Sequence, residues 1–350
     1  MYPLKFEPVF QKRIWGGQRL KNVLAKPVPA EWAREAVGES WELADLPPGT
    51  VKGDSVGAAA DGSLSSAVTN GPWKGQTLFA LMQQHGAAIT GNAPLNHGRF
   101  PLLIKFLDAQ QDLSVQVHPD ATYCAKHPDA HLKSEAWFIM HAEPGAKIYK
   151  GVKPGVTKEA FAAALASGNV EPLLNAIKAK AGDCHYLKSG TVHALGAGIL
   201  AAEVQTPSDT TFRVFDWNRL GPDGQARKLH IAEALEVISF ASPSAADGGQ
   251  RSHIASVFTT VTRLVTCEFF TIERVKMVQE FEQDIPYSEP VVWMVLEGQG
   301  IIQCQGAGPT AFAKGDTILL PAGMKQGKVR TITDCAWLEA RMPGGVADVN

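Results

Sequence analysis

The segment GDCHYLKSGTVH, residues 182 to 193, returns in altered form as GDTILLPAGMKQ, residues 315 to 326. Both begin Gly-Asp, both place leucine sixth (Leu187 and Leu320), and both place glycine ninth (Gly190 and Gly323). Each reads as a turn, a short apolar strand, a glycine turn and a further strand. Upstream the likeness continues, because WFIMHAEPGAKI starts at Trp137 and WMVLEGQGII at Trp293. Two copies in the same order predict a duplicated β module. The copies differ where chemistry is at stake. His193 closes the first segment and Gln326 the second, and Glu135 precedes Trp137 where Val291 precedes Trp293. A scaffold that does without these two groups in one copy argues for a functional role in the other.

A second stretch points to the same place. In QDLSVQVHPD, residues 111 to 120, alternation puts Leu113, Val115 and Val117 on one face of a strand and Ser114, Gln116 and His118 on the other. Gln116, His118, Glu135 and His193 then form one set, each on a predicted strand or strand-end turn of the first module. Two imidazoles, a carboxylate and an amide oxygen suit a divalent metal, either zinc or manganese, iron or cobalt. The other eight of the ten histidines are read as hydrogen-bonded core or surface residues.

Bulk properties narrow the class. The 350 residues suffice for two domains, and 45% hydrophobic residues permit a large core. With 33 basic against 35 acidic residues and no basic run, the chain lacks a nucleic-acid footprint. No run approaches the roughly 18 apolar residues of a membrane span, and MYPLKFEPVF at the start, with no long apolar segment behind a basic one, does not read as a signal peptide. The five cysteines lack metal-type spacing, which predicts reduced thiols and a cytoplasmic location. Along the chain, TLFALMQQHG (77–86) predicts a helix stopping at Gly86, and FPLLIKFLDA (100–109) a buried strand carrying Lys105. Ala-rich residues 157–180 predict two short helices, KLHIAEALEVISF (228–240) a further helix, and 241–252 a linker.

LSVQVHPD (113–120), KSEAWF (133–138), GTVHALG (190–196) and SDTTFRVFDWNR (208–219), with RIWGG and GESWELAD nearer the start, resemble the short bacterial form of the type I mannose-6-phosphate isomerases. The match spreads over most of the chain and loosens in the last hundred residues. The resemblance implies a mainly β protein of two cupin-type β-barrel domains. The expected boundaries are 1–240 for a catalytic domain with its helical insertion near 157–180, and 253–350 for a second domain lacking metal ligands. It implies zinc on Gln116, His118, Glu135 and His193. It matches Lys133 and Arg213 to the family's active-site lysine and arginine, Ser114 and Lys105 to positions for the substrate phosphate, and Asp209 and Glu203 to acidic residues near the sugar. KSE stands where many relatives read Lys-Thr-Glu, which keeps a hydroxyl. The large helical insertion of longer members is replaced by residues 157–180 alone.

That reading makes the substrates mannose 6-phosphate and fructose 6-phosphate. Their interconversion moves a proton between C2 and C1 through an enediolate, whose charge a divalent cation can absorb. A proton carrier with a pKa near the working pH is also required, and Glu203, Lys133 and Asp209 are the candidates. Three other functions fit parts of the pattern. A metal on two histidines and a carboxylate also occurs in iron oxygenases, but Gln116 would fill a position that oxygen needs. A sugar-phosphate binding protein without turnover, or an isomerase of a related sugar phosphate, would share the cavity.

Overall fold

A computed structural model describes residues 1–51, 55–221, 224–241 and 252–343. It is mainly β-sheet, arranged as two cupin-type units of two antiparallel sheets each. The predicted linker falls almost wholly on 242–251, outside the described residues.

In the first unit a six-stranded sheet runs, in spatial order, Cys184–Leu187, Glu135–Ala142, Ile199–Gln205, Leu103–Ala109, Val37–Leu43 and Val9–Gly17. A five-stranded sheet faces it, in the order Leu174–Lys178, Lys147–Val152, His193–Leu195, Val115–Val117 and Phe212–Phe215. The second unit repeats the plan. Its seven-stranded sheet includes Thr317–Leu320, Val291–Glu297, Cys335–Arg341 and Thr271–Met277, and its smaller sheet has four strands. The opening strand Leu4–Lys5 pairs with Thr317–Leu320, so the N-terminus adds to the second unit's sheet.

The two large sheets pack back to back. Ile104, Phe106, Ala136, Phe138 and Val204 of one share a single buried cluster with Ile272, Val292, Met294 and Leu338 of the other. Both faces of the six-stranded sheet are therefore covered, which is why FPLLIKFLDA is apolar almost without interruption. Its odd positions, Lys105 included, face the unit's interior. The five-stranded sheet is covered on its outer face by the helices Lys158–Ala166 and Ile231–Val237, which pack Phe161, Leu165 and Ala234 on Val115, Val117 and Val214. Its inner face is left for polar side chains.

The glycine turns of the two repeat copies do different jobs. In the first, Gly190 N–H donates to the carbonyl of His118 at 2.9 Å. In the second, Ala322 and Gly323 N–H donate to the carbonyls of Ile89 and Ala88, at 2.9 and 2.8 Å. There the turn satisfies the open C-terminal carbonyls of a helix in the first unit.

Three local expectations change. The helix begins at Leu78 behind a Thr77 cap, but runs past Gly86 to Thr90, with a kink at His85. Gly86 makes no sharp turn, and buried Ile89 anchors the extra turn. The chain stops at Gly91, whose φ of 56° suits glycine. Residues 157–180 give one helix, not two, because Gly168 (φ 66°) ends it. A single 3₁₀ turn at Glu171–Leu173 follows, and Leu174–Lys178 instead becomes an edge strand on Lys147–Val152. Leu113 leaves the alternation that begins at Ser114, since its N–H donates to Leu195 before the strand starts at Val115.

The helix end provides a paired test. Gly91→Ala forces a side chain into a left-handed conformation, 3.1 Å from Ala322 Cβ, and should cost about 1–3 kcal/mol. Gly86→Ala has open space around its Cβ and should gain about 0.5–1 kcal/mol. Urea denaturation of both variants measures the difference; a destabilising Gly86→Ala would place the helix stop there after all.

Candidate metal centre and active-site cavity

Register decides what meets in the first unit. In the five-stranded sheet Gln116 lies opposite both His193 and Arg213, so these three project together from the inner face. In the facing sheet Trp41, Lys105, Glu203 and Trp137 form one continuous cross-strand row. Glu135 begins its strand at the end of the interior where His118 leaves its own.

His118, Glu135 and His193 are fully buried, and their ligating atoms lie within 4.8 Å of one another. Glu135 Oε2 is 3.4 Å from His118 Nε2, and Oε1 is 3.2 Å from His193 Nε2. Each imidazole is tethered at its other nitrogen. His118 Nδ1–H donates to Thr210 O at 3.0 Å and His193 Nδ1–H to Thr191 O at 2.8 Å. Those bonds select the tautomer in which Nε2 carries a lone pair toward the centre. His118 Nε2 and Glu135 Oε1 are buried without a hydrogen-bond partner. Unsatisfied buried acceptors are costly, and a divalent cation would satisfy both, so the donor set fits a metal. Burial, with the Lys133 charge, lowers the His118 pKa to about 3 despite Glu135, and leaves the ring neutral. Burial pushes the Glu135 carboxyl up, but the Lys133 charge outweighs it and holds it well below the usual range. Gln116 stands beside them with Nε2 3.5 Å from His193 Nε2 and Oε1 accepting from Ser114 Oγ at 3.5 Å. A half-turn of the amide, which exchanges oxygen and nitrogen at little steric cost, presents Oε1 to the same point.

Above this centre a cavity of about 460 Å³ opens, with Gln116, Lys133, Glu203, Asp209, Arg213, Lys105 and Ser114 in its wall. The structure thus brings all ten sequence-derived candidates to one place. Lys133, buried, reaches Glu135 Oε2 at 3.0 Å. Burial opposes its charge, but Glu135 and Glu203 prevail and raise its pKa. Glu203 Oε2 accepts from Trp137 Nε1 at 2.7 Å, and its Oε1 faces Lys105 Nζ at 3.3 Å. Burial, with the Glu135 charge, raises the Glu203 pKa. Asp209 is likewise raised by burial, against the pull of Lys105. Lys105 also lies 3.8 Å from Glu39 and over the Trp41 ring, so its charge is already answered within the protein.

Arg213 has no carboxylate partner among the described residues. Asp216, the acid nearest in sequence, is engaged by Arg219 and Arg227 at 2.6 and 2.5 Å. Arg213 instead donates to Lys228 O at 2.9 Å and to Ser114 Oγ at 3.3 Å. Burial, reinforced by Arg227, lowers its pKa to about 10. It remains a cation at neutral pH, and an anion is the partner it lacks.

Sequence reading missed several wall residues. Glu39 accepts from Trp41 Nε1 and pairs with Arg13, both at 2.7 Å. Burial raises its pKa, but Arg13 and Lys105 bring it down to about 2. Alternation in GESWELAD, which puts Glu39 and Trp41 on one face, was the available signal. Arg13, Arg227 and Lys12 had none, because Arg227 lies outside the strands and helices, and Lys12 and Arg13 fall where the strand Val9–Gly17 slips out of register with Val37–Leu43. With them the wall holds six cations (Lys12, Arg13, Lys105, Lys133, Arg213, Arg227) against three carboxylates (Glu39, Glu203, Asp209). Such an excess concentrates anions.

The second unit's interior contrasts with this. Trp293 and Trp337 stack at 4.5 Å with Phe312 edge-on, and the remaining space is about 40 Å³. Glu339 stands opposite Trp293 as Glu203 stands opposite Trp137, so the scaffold is shared while aromatic rings fill the space.

Comparison with known proteins agrees with this geometry. Residues 3–135 match the family described as phosphomannose isomerase type I, catalytic domain. The chain is 35% identical over 336 residues to mannose-6-phosphate isomerase ManA of Bacillus subtilis, covering 95% of this chain and 97% of that one. It is 36% identical over 325 residues to mannose-6-phosphate isomerase of Streptococcus mutans, covering 92% and 93%. The crystal structure of a Bacillus subtilis mannose 6-phosphate isomerase superposes with a TM-score of 0.84 at 30% identity, covering 98% of this chain and all of that one. A mannose 6-phosphate isomerase bound with zinc and yttrium shares the fold, with a TM-score of 0.70 at 17% identity. With a relative matched at this identity over nearly its whole length, and with the cavity those motifs build, the chain belongs to the type I phosphomannose isomerase family.

Proposed function

We propose that the protein is a metal-dependent aldose-ketose isomerase that interconverts mannose 6-phosphate and fructose 6-phosphate in the cytoplasm, with zinc as the metal. The observation that carries this reading is a buried His118–Glu135–His193 donor set beneath a cationic cavity in which Arg213 lacks an acidic partner. Catalysis belongs to the unit of roughly residues 1–240. Residues 253–350, joined by the opening strand Leu4–Lys5, serve as its backing.

Gln116, His118, Glu135 and His193 would hold the metal, which supplies Lewis-acid polarisation of the sugar's carbonyl and hydroxyl oxygens. The chain's own groups do the rest. Glu203 is the proton carrier in this reading. Its pKa is raised by burial and Glu135, and the Trp137 hydrogen bond fixes its orientation. Arg213 meets negative charge developing on the sugar oxygens. Lys133 holds Glu135 in place and keeps a positive charge beside the reacting carbons, while Asp209 positions a sugar hydroxyl. Ser114 and Lys105, within a wall whose cations outnumber its carboxylates, draw in the phosphate.

Metal content tests the first step. His193→Ala should lose most bound metal by elemental analysis while its circular dichroism stays close to the parent's; full metal retention would refute the ligand set. Arg213→Ala should bind metal normally yet lose about a hundredfold or more in kcat, equivalent to about 2.7–4 kcal/mol of transition-state stabilisation. A parental kcat with a lowered Tm would make Arg213 structural instead. Lys105→Met should raise KM for mannose 6-phosphate, and should also lower stability because Glu203 and Glu39 lose their shared cation. An unchanged KM in that variant would confine Lys105 to the second role.

A further inference from the structure

The back-to-back seam between the two large sheets is apolar along most of its length, but it changes character at one end. On the strand Thr271–Met277, Ile272 belongs to the shared apolar cluster. Arg274, two residues on and therefore on the same face, is a guanidinium instead. Here the seam opens into a cavity of about 340 Å³ whose wall is built from both units and shares no residue with the active-site cavity. Phe138, Met140 and Leu296 make an apolar floor, while Arg274, Lys276 and Lys314 bring three cations against one carboxylate, Glu297. Arg274 Nε is buried with no hydrogen-bond partner. Among the described residues, none of the three cations has an acidic partner within ion-pair distance. A buried guanidinium edge without an acceptor is costly, and a bound oxyanion is the partner such an edge takes. The volume lies within the range of small-molecule sites.

We propose that this seam is a second anion site, distinct from the active site. It would take a small phosphorylated organic molecule, its phosphate among Arg274, Lys276 and Lys314 and its carbon body on Phe138, Met140 and Leu296. The strand Glu135–Ala142 runs past both sites, with Glu135 at one end and Phe138 and Met140 here.

Inorganic phosphate is the probe. Isothermal titration of the full chain at fixed ionic strength should find two phosphates per parent chain. Arg274→Gln should retain only the active-site phosphate, and its isomerase turnover in phosphate-free buffer should equal the parent's. Lys105→Met, which removes the active-site cation assigned to the phosphate, should weaken the active-site phosphate and leave the seam phosphate unchanged. The two arms fail separately: an unchanged Lys105→Met titration would count against the active-site reading alone. Lys314→Gln, at an exposed position, guards against misfolding of the Arg274 variant and should weaken the second phosphate about tenfold. Parent-like titration by both Arg274→Gln and Lys314→Gln would overturn the proposal.

Discussion

Glu135 has no exposed surface, yet it carries a charge that burial opposes. A lone carboxylate in such a place would cost several kcal/mol, so its surroundings must supply compensation. Lys133 lies two residues away on the same chain, and the imidazoles of His118 and His193 come from the facing sheet. Each imidazole is fixed in turn by a backbone carbonyl at Thr210 or Thr191. The geometry of the whole interior follows from this one constraint, because the strands bearing these groups can take only the register that brings them together. A one-residue slip would turn His193 and Gln116 outward, into the helices.

The same scaffold carries two fillings. In the first unit the inner faces hold ionisable groups and leave room above them. In the second, Trp293, Trp337 and Phe312 occupy the corresponding space, and Val291 stands where Glu135 does. The second unit contributes in another way. Its large sheet gives the first unit's large sheet an apolar surface to rest on, and its glycine turn completes the helix ending at Thr90. The second module is therefore not idle without the charged set, since docking uses the opposite face of the same strands.

Much of this was legible in the residues, and the reasons for the rest are physical. The repeat of Gly-Asp, Leu and Gly announced two β modules because turns and strand parity are local properties. His193 and Glu135 stood out by their absence from the second copy. The fate of 174–178 was not legible, because an edge strand there is chosen by the unpaired backbone of Lys147–Val152, which lies outside any local window. Gly86 misled for a related reason: a glycine ends a helix only where a positive φ is needed, and tertiary anchoring of Ile89 carried the helix on. In the site, Arg13 and Arg227 escaped notice since a cation in a strand that breaks register, or in a loop, looks solvated until folding turns it toward a cavity. The acidic surroundings of Lys105 were equally hidden. Only the folded sheet reveals that Glu203, directly opposite Lys105, and Glu39, one pair along the neighbouring strand, are there.

The central sheet, covered on both sides, separates chemistry from assembly by parity. Along Glu135–Ala142 the odd residues Glu135, Trp137 and Ile139 look into the catalytic interior, while Ala136, Phe138 and Met140 look into the seam. A scan of this single strand would sort into two independent families of phenotype. Changes at odd positions would alter turnover and metal content with the two units still joined, and changes at even positions would loosen the units from each other before touching the reaction. Evolution can therefore tune affinity between the units and reactivity within one of them on the same eight residues, one letter apart.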